Sequence, residues 1–225
     1  MLTIPEMILF VLVVLGSLFL TWKAAERIVR TIGRGQGEID WNAARKRLVS
    51  VLLKTITLAP TFRLRLGPSL FHGFVAWGFM YYLLVNLGDV LEGFIPGFEF
   101  LGHGLIGSLY RLGADLLSVG VLVGMVFLLI RRFIVRTPDL TAREDVLLQP
   151  SARAGIRRDS AVVGGFILVH VGSRFLGDSF ELAARGTSTW QPFASTVSAA
   201  WAGLSPQALV VGQHVFWWLA LGTIV

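Results

Sequence analysis

The chain has 225 residues, 54% of them hydrophobic and 15% charged, whereas a soluble domain typically carries about a quarter charged residues. It holds no cysteine, which excludes disulfides, thiolate metal sites and iron–sulfur clusters built from this chain alone. The net charge of +6 invites a nucleic-acid reading, but the cations lie between apolar stretches and form no soluble basic surface. That excludes nucleic acid as a partner and leaves the lipid bilayer.

A bilayer core of about 30 Å takes roughly 20 helical residues. The first stretch of that kind runs from about Pro5 to Trp22. No basic residue precedes it, and Pro5 and Glu6 open it. It therefore reads as a retained helix and not as a cleaved secretory leader. The segment from Ile39 to Leu66 follows, with Leu48, Val51, Leu52, Ile56 and Leu58 interleaved with Arg45, Lys46, Arg47 and Lys54. Its spacing predicts an amphipathic helix on the cytoplasmic interface, the alternative being a packed loop.

Further spans are expected from about Leu70 to Leu91, Leu105 to Ile130, Ala161 to Leu182, and Pro206 to Val225. The stretch from Gly186 to Pro206, with Trp190 and Trp201, reads as an outer-surface loop carrying interfacial aromatic anchors. All but three of the 20 Lys and Arg residues fall between the first and second spans or around the third-to-fourth connection. The exceptions are Arg111, Arg174 and Arg185. By the positive-inside rule the basic side is cytoplasmic and the N-terminus outside. The expected architecture is an all-α integral membrane bundle of about five transmembrane helices, with residues 1–225 forming one transmembrane domain.

Three histidines lie inside these apolar segments: His72, His170 and His214. An ionisable residue at membrane depth is costly and marks a functional site by default. Neutral imidazole is the commonest metal ligand and, without cysteine, a natural axial ligand for haem iron. Counting about 1.5 Å per residue from the span starts, His72 lies near the cytoplasmic face. His170 and His214 come to similar depths, where two facing helices can hold one haem between them. Proton relay and purely structural roles are the alternatives.

Glycines cluster near the histidines (Gly73 and Gly78, Gly164, Gly165 and Gly172, Gly212). They suit close helix approach as well as room for a flat macrocycle. Arg174 lies one turn beyond His170 on the same face. It is suited to a haem propionate or to Asp178 four residues on. Arg111 and Arg185 are further cations for such a carboxylate. His103, in FEFLGHGLIG, reads as a solvated loop residue. Asp89, His103 and Asp115 are the polar groups near the outer mouth that could handle quinone protons.

Three runs carry a family likeness. RLGPSLFHGFVAWGF, Gly107 to Leu140 (GSLYRLGADLLSVGVLVGMVFLLIRRFIVRTPDL) and HVFWWLAL from His214 together resemble the membrane domain of heterodisulfide reductase-related iron–sulfur oxidoreductases. That domain is similar to the gamma subunit of respiratory nitrate reductase, a five-helix di-haem cytochrome b. The resemblance covers roughly Arg63 to Val225. It implies one or two b-type haems, with His72 matching the second-helix ligand and His214 a last-helix ligand. His170 rests on its depth and on Arg174.

The family's further histidine after the paired tryptophan is replaced here by Leu219 or Ala220. The resemblance also implies a C-terminal continuation bearing cysteine-rich clusters. The implied function is electron transfer between a quinone pool and a cytoplasmic iron–sulfur or flavoprotein partner, in a bacterial cytoplasmic membrane. The competing expectation is a non-haem anchoring subunit of a larger respiratory or photosynthetic complex. A transporter ranks below both, since no charged pair lies centrally on these helices in the sequence.

Overall fold

Helices account for every regular element among the described residues of a computed structural model, which are 2–35, 40–63, 65–140 and 145–225. Gln36–Ile39, Leu64 and Arg143 lie outside the described residues, so the start of the expected amphipathic segment, one residue near its end and one of the basic residues are not described. The chain divides into two units, Met1–Leu64 with Val225, and Arg65–Ile224.

The first unit holds α1 (Ile4–Ile32), α2 (Trp41–Thr57) and the short α3 (Ala59–Phe62). Pro5 stands in the first turn of α1, where a missing N–H costs nothing. The Glu6 carboxylate accepts the Thr3 N–H at 2.8 Å, a donor that the helix itself leaves orphaned. Asp40 starts α2 by accepting the Ala43 N–H at 2.9 Å, the usual service of an N-cap carboxylate. Leu58 ends it at φ 51°, in the left-handed region.

The second unit is a bundle of α4 (Leu66–Phe94), α5 (Leu105–Leu129), α6 (Pro150–Arg185), α7 (Pro192–Ser198) and α8 (Pro206–Gly222). A π-helical turn over Ile130–Ile134 extends α5. The long helices alternate in direction, as their short connections require. Val85, Val121 and Val171, from α4, α5 and α6, are almost wholly buried at the centre. Close approach of α4 and α5 depends on two glycines. A Cβ on Gly78 would overlap Val121 Cγ2, and one on Gly124 would lie 2.8 Å from the Phe71 carbonyl oxygen.

Among the described residues four helices are long and apolar enough to cross a membrane: Ile4–Ile32, Leu66–Phe94, Leu105–Ile134 and Pro150–Arg185. The chain is accordingly an integral membrane protein with an all-α bundle. The expected fifth span corresponds to α8. Its 17 residues rise about 26 Å, somewhat less than the usual hydrocarbon thickness. The expected outer loop between α6 and α8 is partly helical. It contains α7 and a 3-10 turn at Ala199–Trp201. It is also tied to the bundle: Trp201 Nε1 donates to Ser179 Oγ at 2.8 Å and its ring stacks on Phe180 at 4.3 Å.

Candidate functional site

The polar groups of the bundle gather where α4, α6 and α8 meet. On α4, Tyr82, Asn86 and Asp89 follow at helical spacing and share a flank. On α6, His170, Arg174 and Asp178 do the same. Because α4 and α6 run in the same direction, the two series come together, Tyr82 beside His170 and Asp89 beside Arg174. Arg174 Nε donates to Asp89 Oδ2 at 3.0 Å and its Nη2 to Asp89 Oδ1 at 3.2 Å. Such a two-pronged pairing is the strong form of an arginine–carboxylate contact. Arg174 Nη1 also donates to Asp178 Oδ2. The three side chains are only 11–17% exposed. α8 joins through Trp217, whose Nε1 donates to the Asp89 main-chain oxygen at 3.2 Å. Asn86 Oδ1, one turn before Asp89, is buried and has no hydrogen-bond donor among the described residues.

Arg174 was expected to serve either a haem propionate or Asp178. Here it holds Asp178 together with Asp89, and its fork is occupied by protein carboxylates. One guanidinium between two carboxylates is a strongly coupled arrangement. Removing the cation would leave two like charges facing each other in a low-dielectric interior.

His170 is 4% exposed. Its Nδ1 lies 2.7 Å from the Ala220 carbonyl oxygen. A carbonyl only accepts, so in the neutral ring Nδ1 carries the proton and Nε2 keeps the lone pair. The Tyr82 ring meets His170 edge-on, with centroids 5.4 Å apart. Tyr82 Oη and Ser118 Oγ share a hydrogen bond of 2.7 Å, and Ser118 Oγ donates to the Ala114 carbonyl at 2.6 Å. Thr223 Oγ1 also donates to the Ala220 oxygen, at 2.7 Å. That oxygen belongs to the last turn of α8 as it stands, where carbonyls lack helical partners.

The shared depth expected for His170 and His214 is not found. His170 lies opposite Ala220. Farther along the same helices, a Cβ on Gly177 would lie 3.5 Å from the Phe216 Cβ, and Gly212 faces the Phe180 ring. This register sets His214 across from residues near 178, roughly 12 Å along the axis from His170 at about 1.5 Å per residue. Bis-histidine ligation needs two imidazoles at one level, one on each side of the iron, so this pair does not fit one haem. The space beside two of the nearby glycines is filled by neighbours. A Cβ on Gly164 would meet Leu129 at 2.7 Å and one on Gly212 would overlap the Phe180 ring, which is the close-packing role.

His72 is exposed on α4 and His214 is half-buried on α8. His103 is exposed, as expected of a loop residue, with Nδ1 2.9 Å from Glu99 Oε2. Arg111 Nη1 donates to the Gly102 carbonyl at 3.1 Å, fastening the α4–α5 loop. Arg185 pairs with Glu181 at an exposed helix end. Asp115, expected near the outer mouth, is 2% exposed. It accepts the Phe193 and Ala194 N–H groups at 2.8 and 2.9 Å, capping α7 from another helix. Asn86, the Tyr82–Ser118 pair and the capping role of Asp115 escaped the sequence reading. Only the helical spacing of Tyr82, Asn86 and Asp89 gave a cue. Among the described residues no group of three or more His, Cys, Asp or Glu is placed to hold a metal ion.

No protein-family model, curated protein or solved structure matches this chain.

Proposed function

We propose that the chain is a membrane electron-transfer module working between a quinone pool and a cytoplasmic iron–sulfur or flavoprotein partner, in a bacterial cytoplasmic membrane, with b-type haem as its redox group. The likeness of its three sequence runs to the heterodisulfide reductase-related membrane domains supports this reading. The observation that carries it is His170. A buried imidazole with Nδ1 fixed on a main-chain carbonyl has the tautomer and orientation of a metal-ligating histidine, whose other nitrogen is left to bind. Haem would supply one-electron chemistry at such a nitrogen. The His170–His214 pair does not serve as its two axial ligands in this arrangement, so no electron-transfer step is derived through that pair.

A second reading has its own observation. Arg174 is held by Asp89 and Asp178, and His170 satisfies the end of α8. Both are what a non-haem anchoring subunit would use to hold its helices together. A reduced-minus-oxidised optical spectrum with pyridine haemochrome quantitation separates the two readings. The cytochrome reading expects a b-type α band, lost in His170→Ala protein that still inserts in membranes. A flat spectrum from well-folded wild-type chain sinks it in favour of the anchor.

A further inference from the structure

The helix α2 has a composition unlike any other in the chain. Its 17 residues, Trp41–Thr57, include Arg45, Lys46, Arg47 and Lys54 and no acidic residue. It is too short and too charged to cross a bilayer. None of its residues is buried. At about 100° per residue, Trp41, Leu48, Leu52 and Ile56 fall on one stripe. Arg47, Ser50, Lys54 and Thr57 fall on the opposite stripe, with Lys46 beside them. Arg45 falls within the apolar stripe, between Leu52 and Ile56 around the helix, where its aliphatic stem can lie along it and its head can reach outward. Trp41, Leu48, Leu52 and Ile56 are each at least half exposed.

Three explanations compete for this pattern. A helix standing free in water would expose a row of large apolar side chains, a strong aggregation liability. A topology signal alone accounts for the cations but not for the segregation of Lys46, Arg47 and Lys54 from the apolar stripe. An interfacial helix accounts for both.

The charges decide what kind of interface fits. In α1, Lys23 and Arg30 share Glu26 at 3.6 and 2.5 Å. The four cations of α2 make no ion pair among the described residues, so their complement lies outside the helix. The preceding helix, α1, is one of the membrane spans. Only residues 33–40 separate the two helices, a reach of at most about 32 Å even fully extended. The start of α2 is thus held close to a bilayer surface.

We propose that α2 is an in-plane anchor that recognises anionic lipid headgroups. Lys46, Arg47 and Lys54 meet the phosphates, while Trp41, Leu48, Leu52 and Ile56 enter the acyl boundary. The inference is independent of whether the bundle carries haem.

The absence of cysteine makes a direct test available, because one introduced thiol labels uniquely. Full-length Leu52→Cys and Ser50→Cys proteins carrying an environment-sensitive fluorophore are reconstituted into vesicles of phosphatidylcholine alone or mixed with phosphatidylglycerol. Quenching by aqueous acrylamide is then compared. The expected result is several-fold shielding of the position 52 label when phosphatidylglycerol is present, with the position 50 label open in both vesicles. Shielding should fall when Lys46, Arg47 and Lys54 are all changed to Gln, or at about 1 M salt, where the screening length shrinks to about 3 Å.

Equal shielding in both vesicles would overturn the anionic recognition and leave a merely apolar anchor. Two equally open labels would overturn the anchor itself. Shielding of both positions in either vesicle would mean that protein covers the helix, which also overturns the proposal. Leu48→Cys, one turn earlier on the same stripe, repeats the reading should Leu52→Cys fold poorly.

Discussion

The helices α1 and α5 have the same mean hydropathy, 2.3 over their most apolar window, yet 6% of that window is buried in α1 and 33% in α5. Hydropathy therefore says that a helix prefers lipid to water and says nothing about whether it has helical neighbours. The difference lies in small and polar residues. Gly16 of α1 has open space where a Cβ would be, whereas Gly124 of α5 faces the Phe71 backbone. Within α5, Asp115 and Ser118 are buried and hydrogen-bonded, one to α7 and the other to Tyr82 of α4. In lipid, apolar surface gives helices no reason to associate. Close backbone approach and satisfied polar groups give them one.

The sharpest way to break this comparison is to remove a buried charge from the bundle and an exposed one from α1. Arg174→Ala strands Asp89 and Asp178 and should cost about 3–5 kcal/mol, read as a large drop in the thermal unfolding midpoint in detergent. Arg30→Ala removes a surface pair with Glu26 on a side chain 74% exposed. It should cost no more than about 0.5 kcal/mol. Equal losses would mean that the Arg174 cluster is solvated and holds nothing together.

Glycine gives a test of smaller size and opposite sign. Gly124→Ala drives a methyl group against a carbonyl that no rotamer change can move, and should destabilise by about 1–3 kcal/mol. Gly16→Ala meets nothing and gains helix propensity, so it should be neutral or stabilise by up to about 1 kcal/mol. A loss at Gly16 matching that at Gly124 would show that α1 also packs tightly against a neighbour.

Much of this could be read from the chain, and the parts that could not share a cause. Long apolar runs located the four membrane-length helices, and the pairing of Arg174 with Asp178 followed from their helical spacing. Asp89 lies far from Arg174 in the chain and could not be paired with it without knowing which helices are neighbours. Asp115 as the cap of α7 was hidden for the same reason. The depth argument for His170 and His214 failed because each was counted from a different face of the membrane. Boundary errors at both faces then add, and α6 runs on to Arg185 beyond the apolar stretch that defined its span.

The smallest effect compares two ways of starting a helix. At the head of α1, Glu6 accepts the N–H of Thr3, the residue just before its own helix, so Glu6→Gln disturbs one exposed turn. It should change stability by about 0.3–0.5 kcal/mol. At the head of α7, the acceptor is Asp115 on another helix, and both carboxylate oxygens are used. Asp115→Asn keeps the volume but turns one acceptor into a donor facing an N–H, and should cost about 1–2 kcal/mol. The distinguishing readout is hydrogen exchange. Faster exchange at Phe193 and Ala194 is expected with the rest of α5 still protected, because the cap joins α7 to a core that other contacts hold. If protection instead fell along the whole of α5, Asp115 would be fixing the bundle and not merely the short helix laid against it.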